Sequence, residues 1–124
     1  MQESDASPLR VLVIDDEPAV RFVLRVILEL HQYEVVEAGQ GVEALARLGE
    51  QRVDLVVTDF MMPVMDGGEL IDRIRADPGL ADIPILMISA SSGARERSKP
   101  DVFFEKPFEP DEIVAEAARL TGRS

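Results

Sequence analysis

Five polar side chains stand where apolar runs come to an end. RVLVIDD (10 to 16) runs out into Asp15 and Asp16, DLVVTD (54 to 59) into Asp59, IPILMIS (83 to 89) into Ser89, and DVFFEK (101 to 106) into Lys106. Three carboxylates brought together repel one another by about 4 kcal/mol per pair at about 4 Å and an effective dielectric of about 20, so a cation or an ammonium has to stand among them. Oxygen donors without Cys or a neighbouring His select a hard ion. Mg²⁺ fits best, because it takes one or two carboxylates, keeps several waters and then accepts phosphate oxygens; Ca²⁺ wants more protein oxygens than the sequence offers. A carboxylate beside Mg²⁺ and a lysine can attack a phosphoryl group, since both cations neutralise charge on the transferring oxygens. Asp59 is the candidate nucleophile, its product is an aspartyl phosphate, and Ser89 and Lys106 are the candidate partners of the phosphate oxygens. Taken singly, each residue has a plainer explanation: an Asp-Asp turn and helix cap, a strand terminus, a strand-end hydroxyl, a solvated surface lysine. Their joint occurrence at four strand ends is what points to chemistry.

The apolar runs themselves are strands. Val11, Leu12, Val13 and Ile14 are consecutive branched residues, the pattern of a strand buried on both faces, and YEVVEA (33 to 38) supplies a fifth, more alternating run. Helical periods lie between them. Pro18 suits a first helical position and is followed by Val20, Val23, Leu24, Ile27 and Leu28, with Arg21, Arg25 and Glu29 four apart on another face. Val42, Leu45 and Leu48 with a Glu43/Arg47 pair predict a short second helix closed by Gly49. Leu70, Ile71 and Ile74 with Glu69/Arg73 predict a third, opened by an Asp66/Glu69 capping box. Pro110 opens a last helix that carries Ile113, Val114, Ala117 and Leu120 on one side. The interval between Ser89 and Asp101 has Gly93, Pro100 and no apolar period, which predicts a loop or at most one or two helical turns. Strands alternating with helices require a mostly parallel sheet with helices on both faces. In such sheets ligands sit outside the carboxyl ends of the strands where the order reverses, which is where the five polar residues fall.

Composition narrows the function further. Hydrophobic residues at 46% and charged residues at 30% give a globular balance over 124 residues, so one domain is expected, starting near Leu9 after a loose polar arm at 1 to 8. Acidic residues number 24 against 13 basic, a formal charge of −11 that disfavours direct contact with nucleic-acid phosphates. No cysteine is present, so neither a disulfide framework nor a thiolate metal site can form, in keeping with a cytoplasmic location. Glu3 and Asp5 stand where a secretory signal would be basic, and no apolar run approaches the roughly 20 residues that span a bilayer. A soluble chain with no membrane partner is expected. Met61, Met62 and Met65 read as packing or a partner surface rather than soft-metal ligands. His31 is assigned nothing beyond a favourable place near a helix C-terminus.

Four ordered segments resemble the receiver family of two-component response regulators over about residues 9 to 121: V-I-D-D-E-P (13 to 18), T-D-F-M-M-P-V-M-D-G (58 to 67), M-I-S-A (87 to 90) and F-F-E-K-P-F (103 to 108). The resemblance implies a single-domain, doubly wound, flavodoxin-like α/β fold with a five-stranded parallel sheet in the order 2-1-3-4-5. It implies that Asp59 is the phosphoacceptor, Asp16 a direct Mg²⁺ ligand, Asp15 its partner acting largely through water, and the Met61 backbone carbonyl part of the metal shell. Ser89 then matches the switch hydroxyl, Lys106 the phosphate-pairing lysine, Phe103 the aromatic whose rotamer reports phosphorylation, and Ala90 a small residue that keeps the phosphate accessible. A cis Lys106-Pro107 bond is also implied, and only X–Pro bonds adopt cis cheaply. The implied partners are a sensor histidine kinase or phosphotransfer protein and a downstream protein target, and a homodimer is compatible with the pattern.

Two departures stand out. The Ser89 to Lys106 stretch is about five residues short of the family's usual length, so the fourth helix is expected to be shortened or absent. Phe103 lacks a hydroxyl and can report only by packing. Two other function classes compete. A phosphorylation-independent receiver-like binding module would keep the fold but not use Asp59. A turnover phosphatase working through an aspartyl phosphate would carry a second Asp two residues after the nucleophile, where this chain has Met61, and no G-x-x-x-x-G-K-[ST] loop supports nucleotide hydrolysis. The expectation is therefore a switch that catalyses only its own phosphorylation and dephosphorylation, not an enzyme with an external substrate.

Overall fold

Successive residues of the first strand feed opposite cores. In a computed structural model, which describes residues 8–91 and 93–123, Val11 and Val13 of β1 (Arg10–Ile14) pack with one cluster and Leu12 and Ile14 with the other, all at most 1% exposed. The period-two geometry of a strand makes this division, and a continuous apolar run is what both faces demand. The other strands are β2 (Glu34–Ala38), β3 (Leu55–Thr58), β4 (Ile85–Ser89) and β5 (Val102–Glu105), all parallel to their neighbours in the order β2-β1-β3-β4-β5. Both the sheet order and the parallel pairing agree with the expectation from sequence.

The helices are α1 (Pro18–Glu29), α2 (Gly41–Glu50), α3 (Gly67–Ala76), α4 (Ala94–Arg97) and α5 (Pro110–Thr121). Leu24 and Leu28 of α1 and Ile113 and Ala117 of α5 cover the face that holds Val11, Val13, Leu55, Val57, Leu86 and Ile88. On the other face, Ala44 and Leu48 of α2 and Leu70, Ile71 and Ile74 of α3 close over Leu12, Ile14, Val56, Ile85 and Met87. Pro18 and Pro110 do occupy the starts of their helices, where a missing N–H removes no helical bond. Asp66 caps α3 by accepting the Glu69 amide at 2.8 Å.

Several sequence readings shift. Val42 is 58% exposed and Val23 45%, so the buried stripe of α2 runs through Gly41, Ala44 and Leu48, and that of α1 narrows to Leu24 and Leu28. Counting bulky residues overweights valine, whereas Gly41 and Ala44 are buried in α2 beside Leu48. Gly49 lies within α2 and does not close it; Gln51, in extended conformation, does. The interval at 90 to 101, by contrast, agrees with expectation: it holds one short turn of helix, α4. Beyond it, Asp101 donates its amide to the Ile85 carbonyl at 2.8 Å and accepts the Ile85 amide on Oδ2 at 2.7 Å, restarting the ladder that becomes β5. Residues 1–7 of the expected N-terminal arm lie outside the described residues.

Candidate functional site

The β-ladder delivers three of the reactive groups to one end of the sheet. Asp15 donates its amide to the Ala38 carbonyl at 3.2 Å and Asp59 donates its amide to the Ile14 carbonyl at 3.0 Å, so both carboxylates leave the sheet one residue past their strands. Lys106 donates its amide to the Ser89 carbonyl at 3.1 Å and thereby reaches the same end from β5. The Lys106-Pro107 bond is cis, as implied above.

Around these anchors the side chains converge. The Lys106 Nζ lies 3.1 Å from Asp15 Oδ2 and 3.2 Å from Asp59 Oδ2, bridging the two acids. Their remaining oxygens are held by main chain: Asp15 Oδ1 accepts the Glu17 amide at 2.9 Å, and Asp59 Oδ1 accepts the amides of Phe60 at 2.7 Å and Met61 at 3.3 Å. Asp16 is exposed, yet one oxygen from each of Asp15, Asp16 and Asp59 can be drawn from a set lying within 4.8 Å of one another. An open cleft of about 310 Å³, lined by Asp16, Glu17, Asp59, Met61, Ala90 and Lys106, leads down to them. Asp59, 6% exposed, forms part of its floor.

Burial raises the Asp15 carboxyl above the ordinary carboxylate range, and the nearby charge of Asp59 adds to this, against the opposing pull of the Glu17 amide and Lys106. Burial alone would lower the Lys106 ammonium, but the charges of Asp15 and Asp59 outweigh it and hold the ammonium above its usual value. One ammonium therefore faces three carboxylates, two of them buried, and the balance is short of positive charge. All donors are hard oxygens. The residues present thus fit a hard divalent cation of the Mg²⁺ type, which would supply the missing charge.

The other candidates divide. Ala90, not Ser89, lines the cleft; Ser89 is fully buried, and its Oγ accepts the Ser91 amide at 3.0 Å. Phe103 is half-buried on the far side of β4, beneath the Arg95 guanidinium, 5.1 Å from its ring centroid. Met61 is at the cleft mouth, 58% exposed, while Met62 and Met65 belong to the core. His31 Nδ1 contacts the Ile27 carbonyl at 3.0 Å just beyond α1, in keeping with the helix-end placement expected from sequence.

Two contributors escaped the sequence reading. Glu17 lines the cleft, with Oε1 3.9 Å from Lys106 Nζ. Gly67 starts α3 hard against Asp59: a Cβ there would lie 2.5 Å from the Asp59 carbonyl oxygen and 2.8 Å from Phe60 Cα. Its position directly after a capping Asp in M-D-G was the available signal, since a glycine there marks a close backbone approach.

The chain matches the model of the response regulator receiver domain over residues 11–118. It is 38% identical over 122 residues to the response regulator MprA of Mycobacterium sp. (strain KMS), covering 94% of this chain and 52% of that protein. The chain spans about half the length of the curated relatives it matches. Among solved structures it resembles the response regulator TrrA of Thermotoga maritima in complex with Mg²⁺ and BeF, at 32% identity and TM-score 0.79, covering 90% of this chain and 98% of that one. It also resembles the receiver domain of the Pseudomonas aeruginosa sensor histidine kinase PA1611, which has magnesium in its active-site cleft, at 26% identity and TM-score 0.87, covering 94% and 99%.

Proposed function

This chain belongs to the response regulator receiver domain family, and from that premise we propose that it is a phosphorylation-controlled signalling switch in which Asp59 accepts a phosphoryl group from a histidine kinase or phosphotransfer protein, with Mg²⁺ as cofactor. The observation that carries this reading is the Lys106 ammonium, placed between Asp15 and Asp59 at about 3 Å from each beside the exposed Asp16. In the step, a carboxylate oxygen of Asp59 attacks phosphorus, the P–N bond to the donor histidine breaks, and the histidine nitrogen leaves with the bonding pair. Lys106 pairs with phosphoryl oxygens as charge accumulates. Asp15, Asp16, Asp59 and the Met61 carbonyl would hold the ion, whose chemistry is to neutralise those same oxygens. Hydrolysis of the acyl phosphate restores Asp59; no external substrate is turned over.

The readout runs through Ser89 and Phe103. A hydroxyl that accepts the Ser91 amide can still donate its own O–H, and we assign that hydrogen bond to a phosphoryl oxygen on Asp59. Drawing Ser89 toward the cleft alters the end of β4 next to Phe103, which pairs in register with Met87 and packs beneath Arg95. The downstream partner is a protein rather than nucleic acid, given the formal charge of −11. A cytoplasmic setting suits this chemistry, and among the described residues no helix is long and apolar enough to cross a membrane.

Incubation with Mg²⁺ and acetyl phosphate followed by intact-mass measurement tests the proposal. Wild type should gain one phosphoryl group, and chelation of the metal or the change Asp59→Asn should abolish the gain. Equal labelling of wild type and Asp59→Asn would sink it.

A further inference from the structure

Arg21 on α1 makes two bonds that tie separate parts of the molecule together. Its Nη1 donates to the backbone carbonyl of Asp15 at 2.6 Å, and its Nε donates to Glu37 Oε1 on β2 at 2.9 Å. Glu37 in turn accepts Arg25 Nη1 on Oε2 at 2.6 Å, and its backbone carbonyl accepts Arg47 Nε at 3.4 Å. Burial would raise the Glu37 carboxyl, but its bonds to Arg25 and Arg21 prevail and hold it below the ordinary range. The guanidinium also has little room: a Cβ on Gly39 would come within 3.3 Å of Nη1.

We propose that Arg21, oriented by Glu37, is a positioning residue that fixes the Asp15 carbonyl and so sets the β1–α1 turn that carries the acid pair toward the cation. The inference rests on the Mg²⁺ reading above. Asp15 is the first residue past β1, and its amide is already spent on Ala38. The peptide that joins Ile14 to Asp15 is therefore anchored by the sheet, and the Arg21 bond to the Asp15 carbonyl anchors the next one, which joins Asp15 to Asp16. Because each peptide is planar, holding the two that flank Asp15 fixes its backbone dihedrals, and with them the direction in which Asp16 leaves. Glu37 does something further. A guanidinium with its fork free favours a bidentate pair with a carboxylate, which here would compete with the metal for the acids. With Nε committed to Glu37, Arg21 presents Nη1 to a carbonyl instead of to an acid. Arg25 shares the same Glu37, and its other bond goes to Glu29 within α1, so it separates loss of an ion pair from loss of positioning.

The test is Mg²⁺ affinity by isothermal titration calorimetry, set beside the amide NMR shifts and hydrogen exchange of Asp16 and Glu17 in the metal-free protein. Arg21→Met should weaken Mg²⁺ binding about tenfold, the low end of what losing a partner behind a metal ligand costs, and should speed exchange at Asp16 without metal. Glu37→Gln should also weaken binding. Gly39→Ala, which leaves every charge in place but crowds Nη1, should weaken it by a smaller factor. Arg25→Met should lower thermal stability comparably while leaving affinity and exchange as in wild type. Wild-type affinity retained in a folded Arg21→Met protein, or an equal loss in Arg25→Met, would overturn the proposal. Failure of wild type itself to bind Mg²⁺ would instead overturn the reading on which it rests.

Discussion

The two flanks of Asp59 are held by different kinds of force. On the α1 side, charge-assisted hydrogen bonds run from Arg21 and Arg25 to Glu37 and on to the Asp15 carbonyl, with distances between 2.6 and 2.9 Å. On the α4 side, a four-residue helix is fastened by two stacked arginines: Arg95 5.1 Å from the Phe103 centroid and Arg97 4.5 Å from that of Phe60. Ser98 adds bonds to Ala94 and to the Met87 sulfur. Directional bonds therefore sit beside the acid pair, and weakly directional stacks sit over the rings of Phe60 and Phe103. One flank is a frame, and the other is built to yield.

The strongest challenge to that division is Gly67→Ala. Its Cβ would meet backbone atoms of Asp59 and Phe60, and neither can give way without moving the Asp59 carboxylate. A loss of about 2–3 kcal/mol, or roughly 10 °C in Tm, is expected from overpacking against a backbone of this stiffness. Thermal melting decides it: an unchanged Tm would mean that the backbone of Asp59 and Phe60, between the two flanks, gives way.

A smaller effect of opposite sign is expected from Asp15→Asn. The folded protein holds the Asp15 proton more tightly than the unfolded chain does, because burial and Asp59 raise this carboxyl above its ordinary 3.8. Stability is therefore lost as pH rises through the window between the unfolded and folded values, and the deficit persists at neutral pH. Without divalent cations, Asp15→Asn should melt a few degrees higher than wild type at pH 7, and the advantage should fade as pH drops below the ordinary carboxylate range. A lower Tm at neutral pH would show that the Lys106 bridge outweighs burial and repulsion.

The smallest change belongs to the yielding flank. Arg97→Ala and Arg95→Ala should each cost about 0.5–1 kcal/mol, the worth of one exposed cation–π contact, and leave Mg²⁺ affinity unaltered. A shift in that affinity with either variant would join the two flanks into one rigid body and erase the contrast.

How much of this was legible in the chain depends on whether a feature is local. The strand ends at Asp15, Asp59 and Lys106 could be read because a buried parallel strand leaves an unmistakable apolar run and its terminus is the next residue. Pro18 and the Asp66 cap were legible because their effects reach only one helical turn. Arg21 was visible only as a member of a row with Arg25 and Glu29, and the Arg25–Glu29 pair does form. The more consequential partner, Glu37, lies on another strand, and no periodicity within a helix can reveal it. The exposed Val42 and Val23 show the same limit from the apolar side: a helix's spacing says which residues share a face, but the neighbour's shape decides how much of that face is covered. The Ser89 hydroxyl was assigned to the cleft from its place at a strand end, whereas its burial and its bond to Ser91 depend on a loop whose path had no pattern to read.

The bridge made by Lys106 spans 91 residues of sequence to Asp15 and 47 to Asp59. Its lysine arrives with the final strand, at an edge of the sheet. During synthesis the first two acids emerge from the ribosome long before their counter-charge, and the nascent chain carries them unpaired until nearly the whole domain is outside. The charge balance of this end of the sheet is thereby completed only when β5 joins its edge.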